Sequence, residues 1–230
     1  MTPFANTALL FVFGMVFGSF LNVVALRFGK KSIGGRSACP HCRKVLKWHE
    51  LIPILSFLVQ RGKCGNCEAK ISYQYPLIEL FTGLVFITVP LWMLPVFCIY
   101  IVILIYDFHH KIIPDTLVYS VIIISLLFGR HLLAGLIIFT FFALLWLISK
   151  GRIIGFGDAK LGLSIGLLLG GAQGFSAIVV AFWIGAIVSL FLMRRKGLTM
   201  KSEVPFAPFM ILGAWLGMML NLDLLHVISF

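Results

Sequence analysis

The chain has 230 residues, 60% of them hydrophobic and 12% charged, with 22 Phe, a mean hydropathy of +1.06 and a formal net charge of +11. This composition excludes an ordinary soluble domain. The basic excess does not point to nucleic acid, because its placement follows the loops: ten of the nineteen Lys and Arg lie between Arg27 and Lys70, and further clusters sit at Arg194, Arg195, Lys196 and Lys201 and at Lys150, Arg152 and Lys160. Basic loops of this kind mark cytoplasmic segments of membrane proteins, so the charge reports topology.

Threading the chain with basic loops inside gives an all-α integral membrane protein of about eight transmembrane helices. Residues 1–26 form the first transmembrane helix, its apolar stretch too long for a secretory signal and without a cleavage site. Residues 27–75 form a small cytoplasmic insert. Residues 76–230 form a seven-helix membrane core. Its spans are expected near Pro76 to Val89, from the turn at Pro90–Pro95 to Asp107, Thr116 to Phe128, His131 to Ile148, from Asp158 to the external turn at Gly170–Gly174, from there to Arg194, and Ala207 to Leu220. Arg130 is the one clear basic residue that this threading places outside.

Inside the insert, Cys39-Pro40-His41-Cys42 and Cys64-Gly65-Asn66-Cys67 make two CxxC pairs separated by 21 residues. Each pair forms a tight knuckle presenting two thiolates, and two knuckles close a tetrahedral four-thiolate zinc site. Disulfides or separate redox pairs are the alternatives; a cytoplasmic location disfavours lasting disulfides. A closed site of this type leaves no open position for water, so Zn2+ held by Cys39, Cys42, Cys64 and Cys67 is expected to be structural. An insert this small has little core of its own, which a metal can replace.

Only eight acidic residues are present. Parity places Asp107, closing the third span, and Asp158, opening the sixth, on the same membrane face. Carboxylates in or beside a membrane span are costly and are read as functional by default. Asp158 can also cap its helix, and capping is the favoured reading of Asp115. Asp107 ends a helix, where the dipole disfavours negative charge, so capping does not explain it. Glu79 is read either as an N-terminal dipole partner or as a polar contact within the bundle.

Several segments together resemble the type IV prepilin peptidase family of GxGD-type membrane aspartic proteases. They are Gly18-Ser19-Phe20-Leu21-Asn22-Val23-Val24, the two CxxC pairs, Leu51-Ile52-Pro53-Ile54-Leu55-Ser56, Arg61-Gly62-Lys63-Cys64, Ile71-Ser72, Tyr75-Pro76-Leu77-Ile78-Glu79-Leu80, Asp107 with Ile113-Pro114-Asp115, and Gly155-Phe156-Gly157-Asp158-Ala159-Lys160-Leu161. Pro205-Phe206-Ala207-Pro208 is close to the family's C-terminal box, with Ala207 in place of glycine. The resemblance implies a bacterial inner-membrane aspartic endopeptidase that cleaves the leaders of type IV prepilins or pseudopilins at the cytoplasmic boundary, with Asp107 and Asp158 as its catalytic pair and Asp115 in support. It also implies N-methylation of the new N-terminal residue with S-adenosylmethionine, and Gly62 and Lys63 match positions tied to that activity. No glycine-rich nucleotide fingerprint marks a donor pocket.

Two carboxylates sharing a proton would activate water and polarise the scissile carbonyl. Gly155 and Gly157 would let backbone and substrate come close. Lys160 and His109-His110-Lys111 either tune the pair or decorate the cytoplasmic face. Two rival readings stand beside the protease: an ion- or proton-coupled transporter using the same carboxylates, and a zinc-stabilised membrane scaffold whose aspartates only cap helices.

Overall fold

The computed structural model describes residues 3–29, 34–129, 131–152, 154–196 and 204–224. Arg130 and Lys201 therefore lie outside the described residues. Among those described, the regular structure is helical: α1 Pro3–Arg27, α2 Leu55–Val59, α3 Gln74–Thr88, α4 Leu94–His110, α5 Asp115–Phe128, α6 Leu132–Ser149, α7 Phe156–Leu169, α8 Gly171–Lys196 and α9 Ala207–Met219. Two isolated β-bridges, Ala38 with Val45 and Lys63 with Lys70, close the knuckles of the insert.

A helix stands at each of the eight positions where a span is expected, but they are not equal. Four stretches, Asn6–Arg27, Leu91–His110, Leu132–Ser149 and Gly171–Arg194, are long and apolar enough to cross a membrane. The helices α3, α5, α7 and α9 have 15, 14, 14 and 13 residues. At 1.5 Å per residue such helices reach only about 20 Å, against a hydrocarbon core of about 30 Å. Unpartnered apolar side chains such as Leu133, Ile137, Trp183, Ile187 and Leu190 face outward, which suits a lipid environment and not water.

By its internal contacts the chain divides into Met1–Val102 and Ile103–Phe230, and α4 runs from the first unit into the second. In the first unit α1 packs along α3. Phe13 and Phe17 meet Phe86 at ring-centroid distances of 5.8 and 5.7 Å, and Gly18 lies against Thr82, whose hydroxyl donates to the Ile78 carbonyl. The insert that follows α1 is tied back by Arg27, whose guanidinium donates to the carbonyls of Gly34, Gly35 and Arg36.

In the second unit α7 is the buried axis, with ten of its fourteen residues shielded. Its partner α6 comes so close that a Cβ at Gly166 would stand 2.7 Å from the Gly135 Cα. Only glycine on both sides permits that approach, so the pair fixes the helix separation. Phe142, Phe182 and Phe206 cluster nearby, with centroids 5.0–6.2 Å apart, and join α6, α8 and the start of α9 around the same axis.

Candidate active site

Asp107 and Asp158 both belong to the second unit. Asp107 is 4% exposed and Asp158 8%, and the two carboxylates lie within electrostatic reach of each other. Sequence parity expects them on one membrane face, and both carboxylates are buried. Burying two carboxylates is costly unless each finds donors, so the donors define the site.

Asp158 finds one at home. Its Oδ2 accepts the Gly155 N–H at 3.0 Å, so the side chain bridges back to the residue that opens α7. The capping role is thus present, and it fixes the rotamer of the carboxylate. Asp107 has no such local partner, since it sits in the last turn of α4 among carbonyls. Its carboxylate accepts the backbone N–H of Ala207 instead. Ala207 is the first residue of α9, and the first N–H groups of a helix have no intrahelical partner and carry the positive end of the dipole. The start of α9 thus supplies what the end of α4 cannot. Among the described residues Oδ2 of Asp107 has no hydrogen-bond partner, an unusual state for a buried oxygen and the natural place for a water or substrate group.

Asp115 departs from the capping expectation. Pro114 takes the N-cap position of α5, with no side-chain cap. The Asp115 carboxylate is 64% exposed and pairs with Lys160 Nζ at 2.6 Å. Lys160 also lies over the rings of Tyr119 and Phe156, at 4.8 and 5.3 Å from their centroids. This clamp joins α5 to the first turn of α7, two residues beyond Asp158, so Lys160 is committed to Asp115 and its neighbours. Gly157 faces Ile113, whose Cβ would lie 3.1 Å from a Cβ placed there. His110 stacks on Tyr106 with centroids 4.2 Å apart.

The cysteine box stands in the first unit. The four sulfurs of Cys39, Cys42, Cys64 and Cys67 all lie within 4.8 Å of one another, a cluster that could hold a metal ion. Metal–sulfur bonds of about 2.3 Å in a tetrahedron put sulfurs about 3.8 Å apart. Cys39 and Cys67 Sγ are separated by 3.8 Å, and all five cysteines are free thiols. The Lys44 N–H aimed at Cys42 holds its thiol down at about 6, and those of Cys67 and Asn66 hold Cys64 below the ordinary thiol value. At Cys67 the Ala69 N–H acts in the same sense, but burial and the neighbouring sulfurs outweigh it and push the thiol up to about 11. Four sulfurs this close ionise in sequence, and a divalent cation is what lets all four remain thiolates together.

Gly62 has φ +68°, and a Cβ there would lie 3.1 Å from the Phe57 ring. Lys63 forms the bridge with Lys70. Glu79, buried on α3, resolves as a polar contact: its Oε2 accepts the Ile54 N–H at 2.8 Å, and the Ser19 hydroxyl also bonds it. Ile54 has φ +59° and ψ −49°, and the Leu55 N–H reaches back to the Pro53 carbonyl at 2.5 Å. This is a γ-turn of the rarer, strained hand, held from α3 by a carboxylate.

Comparison with known proteins gives this geometry its setting. The pattern of the bacterial peptidase A24 N-terminal domain matches residues 12–93, and that of the type IV leader peptidase family matches residues 92–190. A prepilin leader peptidase/N-methyltransferase of Bacillus subtilis (strain 168) is 33% identical over 229 residues, covering 90% of this chain and 91% of the relative. The chain belongs to the type IV leader peptidase family. A type 4 prepilin-like proteins leader peptide-processing enzyme of Escherichia coli O78:H11 is 28% identical, covering 92% of this chain and 93% of its own length. A prepilin leader peptidase/N-methyltransferase of Aeromonas hydrophila is 26% identical over 94% of this chain and 91% of the relative. No solved structure matches.

Sequence reasoning missed one contributor to the site, the amide of Ala207. The Pro-Phe-Ala-Pro box was the available signal, because a proline beside an apolar run marks a helix start and therefore free N–H groups.

Proposed function

We propose that this family member is a membrane aspartic endopeptidase that removes the leaders of type IV prepilins or pseudopilins at the cytoplasmic edge of the inner membrane, then N-methylates the new terminus. What supports the reading best is that two buried carboxylates lie within electrostatic reach of each other, and that among the described residues one of them has an oxygen without a hydrogen-bond partner. Asp107 and Asp158 are its catalytic pair, and the eight helices, short ones included, are its membrane crossings. One aspartate is ionised and takes a proton from water as the water oxygen bonds the scissile carbonyl carbon. The other donates its proton to the carbonyl oxygen. Collapse of the tetrahedral centre breaks the C–N bond, and the leaving amine takes a proton. Gly155 and Ala207 position the acids through their backbone amides, and Lys160 with Asp115 fixes the turn that carries Asp158.

The cysteine cluster is proposed to hold structural Zn2+, for which its sulfur spacing fits. S-adenosylmethionine supplies a methyl group on a sulfonium. When bound, it would offer that methyl group to the freed N-terminal amine.

Incubation of the detergent-solubilised protein with a prepilin tests the peptidase. Leader removal by the wild type, and none by Asp107→Asn or Asp158→Asn, is the expected outcome. An intact prepilin, with proton uptake into proteoliposomes that needs the same aspartates, would favour the transporter instead.

A further inference from the structure

The insert carries apolar side chains that its own small core does not take up. On α2, Leu55, Leu58 and Val59 are exposed, Val59 at 82%. They stand at i, i+3 and i+4, so they share one face of the helix. Phe57 turns away from that face: its ring meets Tyr73 at a centroid distance of 5.4 Å and backs onto Gly62. The adjoining turn adds Trp48, 78% exposed, with Leu51 and Ile52. An exposed apolar patch of this kind marks a contact surface. We propose that this face docks on the bilayer, seated among the anionic phospholipid headgroups of the leaflet at which α1 ends and α3 begins. The proposal rests on the reading of α1 and α3 as membrane crossings and adds a contact with the membrane outside the spans.

Position argues for lipid first. Ile54, the N-cap of α2, donates its N–H to Glu79 at 2.8 Å, and Phe57 touches Tyr73, the N-cap of α3. Glu79 stands five residues beyond Gln74, about 8 Å into that helix at its rise per residue. A segment tied to the first turns of a spanning helix sits at the membrane boundary, where interfacial elements sink their apolar side by about 5–10 Å. Tyr73, exposed at the point of entry, is the amphipathic aromatic that such a boundary favours. Charge then selects the lipid. Residues 34–72 hold seven Lys and Arg against two Glu, and Glu50 is already paired with Lys44 at 3.0 Å. A zinc tetrathiolate would subtract two charges and leave the segment basic. Exposed Lys47 precedes Trp48, and exposed Arg61 and Lys63 follow Val59. Cations thus flank the apolar face on both sides in the chain. In that arrangement long basic stems pack along apolar surface while their heads reach phosphate.

Photo-crosslinking in nanodiscs tests the docking. p-Benzoylphenylalanine takes the place of Trp48 or Leu58 in the full-length protein, embedded in phosphatidylglycerol or in phosphatidylcholine, and mass spectrometry reads the adducts. Lipid adducts are expected from both positions, about fivefold or more abundant with the anionic lipid, since each cation near such a surface contributes about that factor. Lys47→Glu with Arg61→Glu should erase the preference for phosphatidylglycerol. Val59→Asp should lower the adduct yield from position 48 in both lipids. Zinc content reports whether that variant is intact, α2 having no buried residue to lose, and Leu55→Asp repeats the test if it is not. Equal yields in the two lipids, unmoved by charge reversal, would overturn the role given to the headgroups. Adducts to added prepilin in place of lipid would overturn the docking and make this face a substrate surface. The absence of any lipid adduct from both positions would overturn it as well. The same crosslinker at Ile87, exposed on α3, should trap lipid whatever the insert does, and its failure would overturn the reading of α3 as a crossing.

Discussion

The insert of the first unit and the α7 region of the second are held by different physics. In the insert, neither the turn at Trp48–Leu51 nor α2 buries a single residue, and its order comes from four sulfurs and a few backbone hydrogen bonds. In the second unit α7 is almost wholly shielded, and its position follows from apolar packing and one glycine-to-glycine contact. A region with little core depends on its metal. A region that is nearly all core depends on volume. The two halves should therefore fail separately and by different routes.

The sharpest way to break this comparison is at the carboxylates. Asp107→Asn or Asp158→Asn should lower prepilin cleavage by about a thousandfold or more, with zinc content and melting temperature near wild type; a gel-shift assay of the leader checks it. Next comes the metal. Cys64→Ser, or a strong chelator, should release zinc and open residues 34–72 to protease, while Ile103–Phe230 stays resistant; metal analysis and limited proteolysis read both. Uniform digestion of the whole chain would show that the two regions are one cooperative body. Gly166→Leu attacks packing instead of the metal. It should destabilise the second unit by about 2 kcal/mol or more, in the range of overpacked cores, and leave zinc bound. The smallest effect is expected at the surface clamp. Asp115→Asn leaves Lys160 without its ion pair, but the carboxylate is largely exposed, so stability should change by only about 0.5 kcal/mol. Cleavage should slow severalfold, because the clamp steadies the turn bearing Asp158.

What could be read from sequence follows the range of each interaction. The four-sulfur cluster was legible because CxxC spacing is local and its geometry forced; only the pairing of the two knuckles crosses a longer interval. The expectation that Asp107 and Asp158 share a membrane face comes from the parity of apolar runs, which needs no knowledge of packing; their burial is what the structure adds. The Ala207 amide was not, since every residue but proline carries an N–H and nothing in its side chain says where it points. The partnership of Lys160 with Asp115 was hidden for a related reason: Asp115 begins a helix, and local rules assign it to that helix, whereas the lysine comes from another. Glu79 was legible only as polar and buried, because its partner, Ile54, offers a backbone atom from a strained turn that no propensity anticipates. The shortness of α3, α5, α7 and α9 was legible too: the runs expected there, such as Thr116 to Phe128 and Ala207 to Leu220, end at Gly129 and Asn221, close to the observed helix ends.

The bond between Asp107 and the first amide of α9 has a bearing on the order of events during synthesis. Asp107 enters the bilayer long before residue 207 has been made, so for much of translation one acid waits without the donor that later steadies it. On the proposed assignment of the catalytic pair, competence to cut peptide bonds follows the synthesis of α9, and a nascent chain that lacks it cannot attack its membrane neighbours.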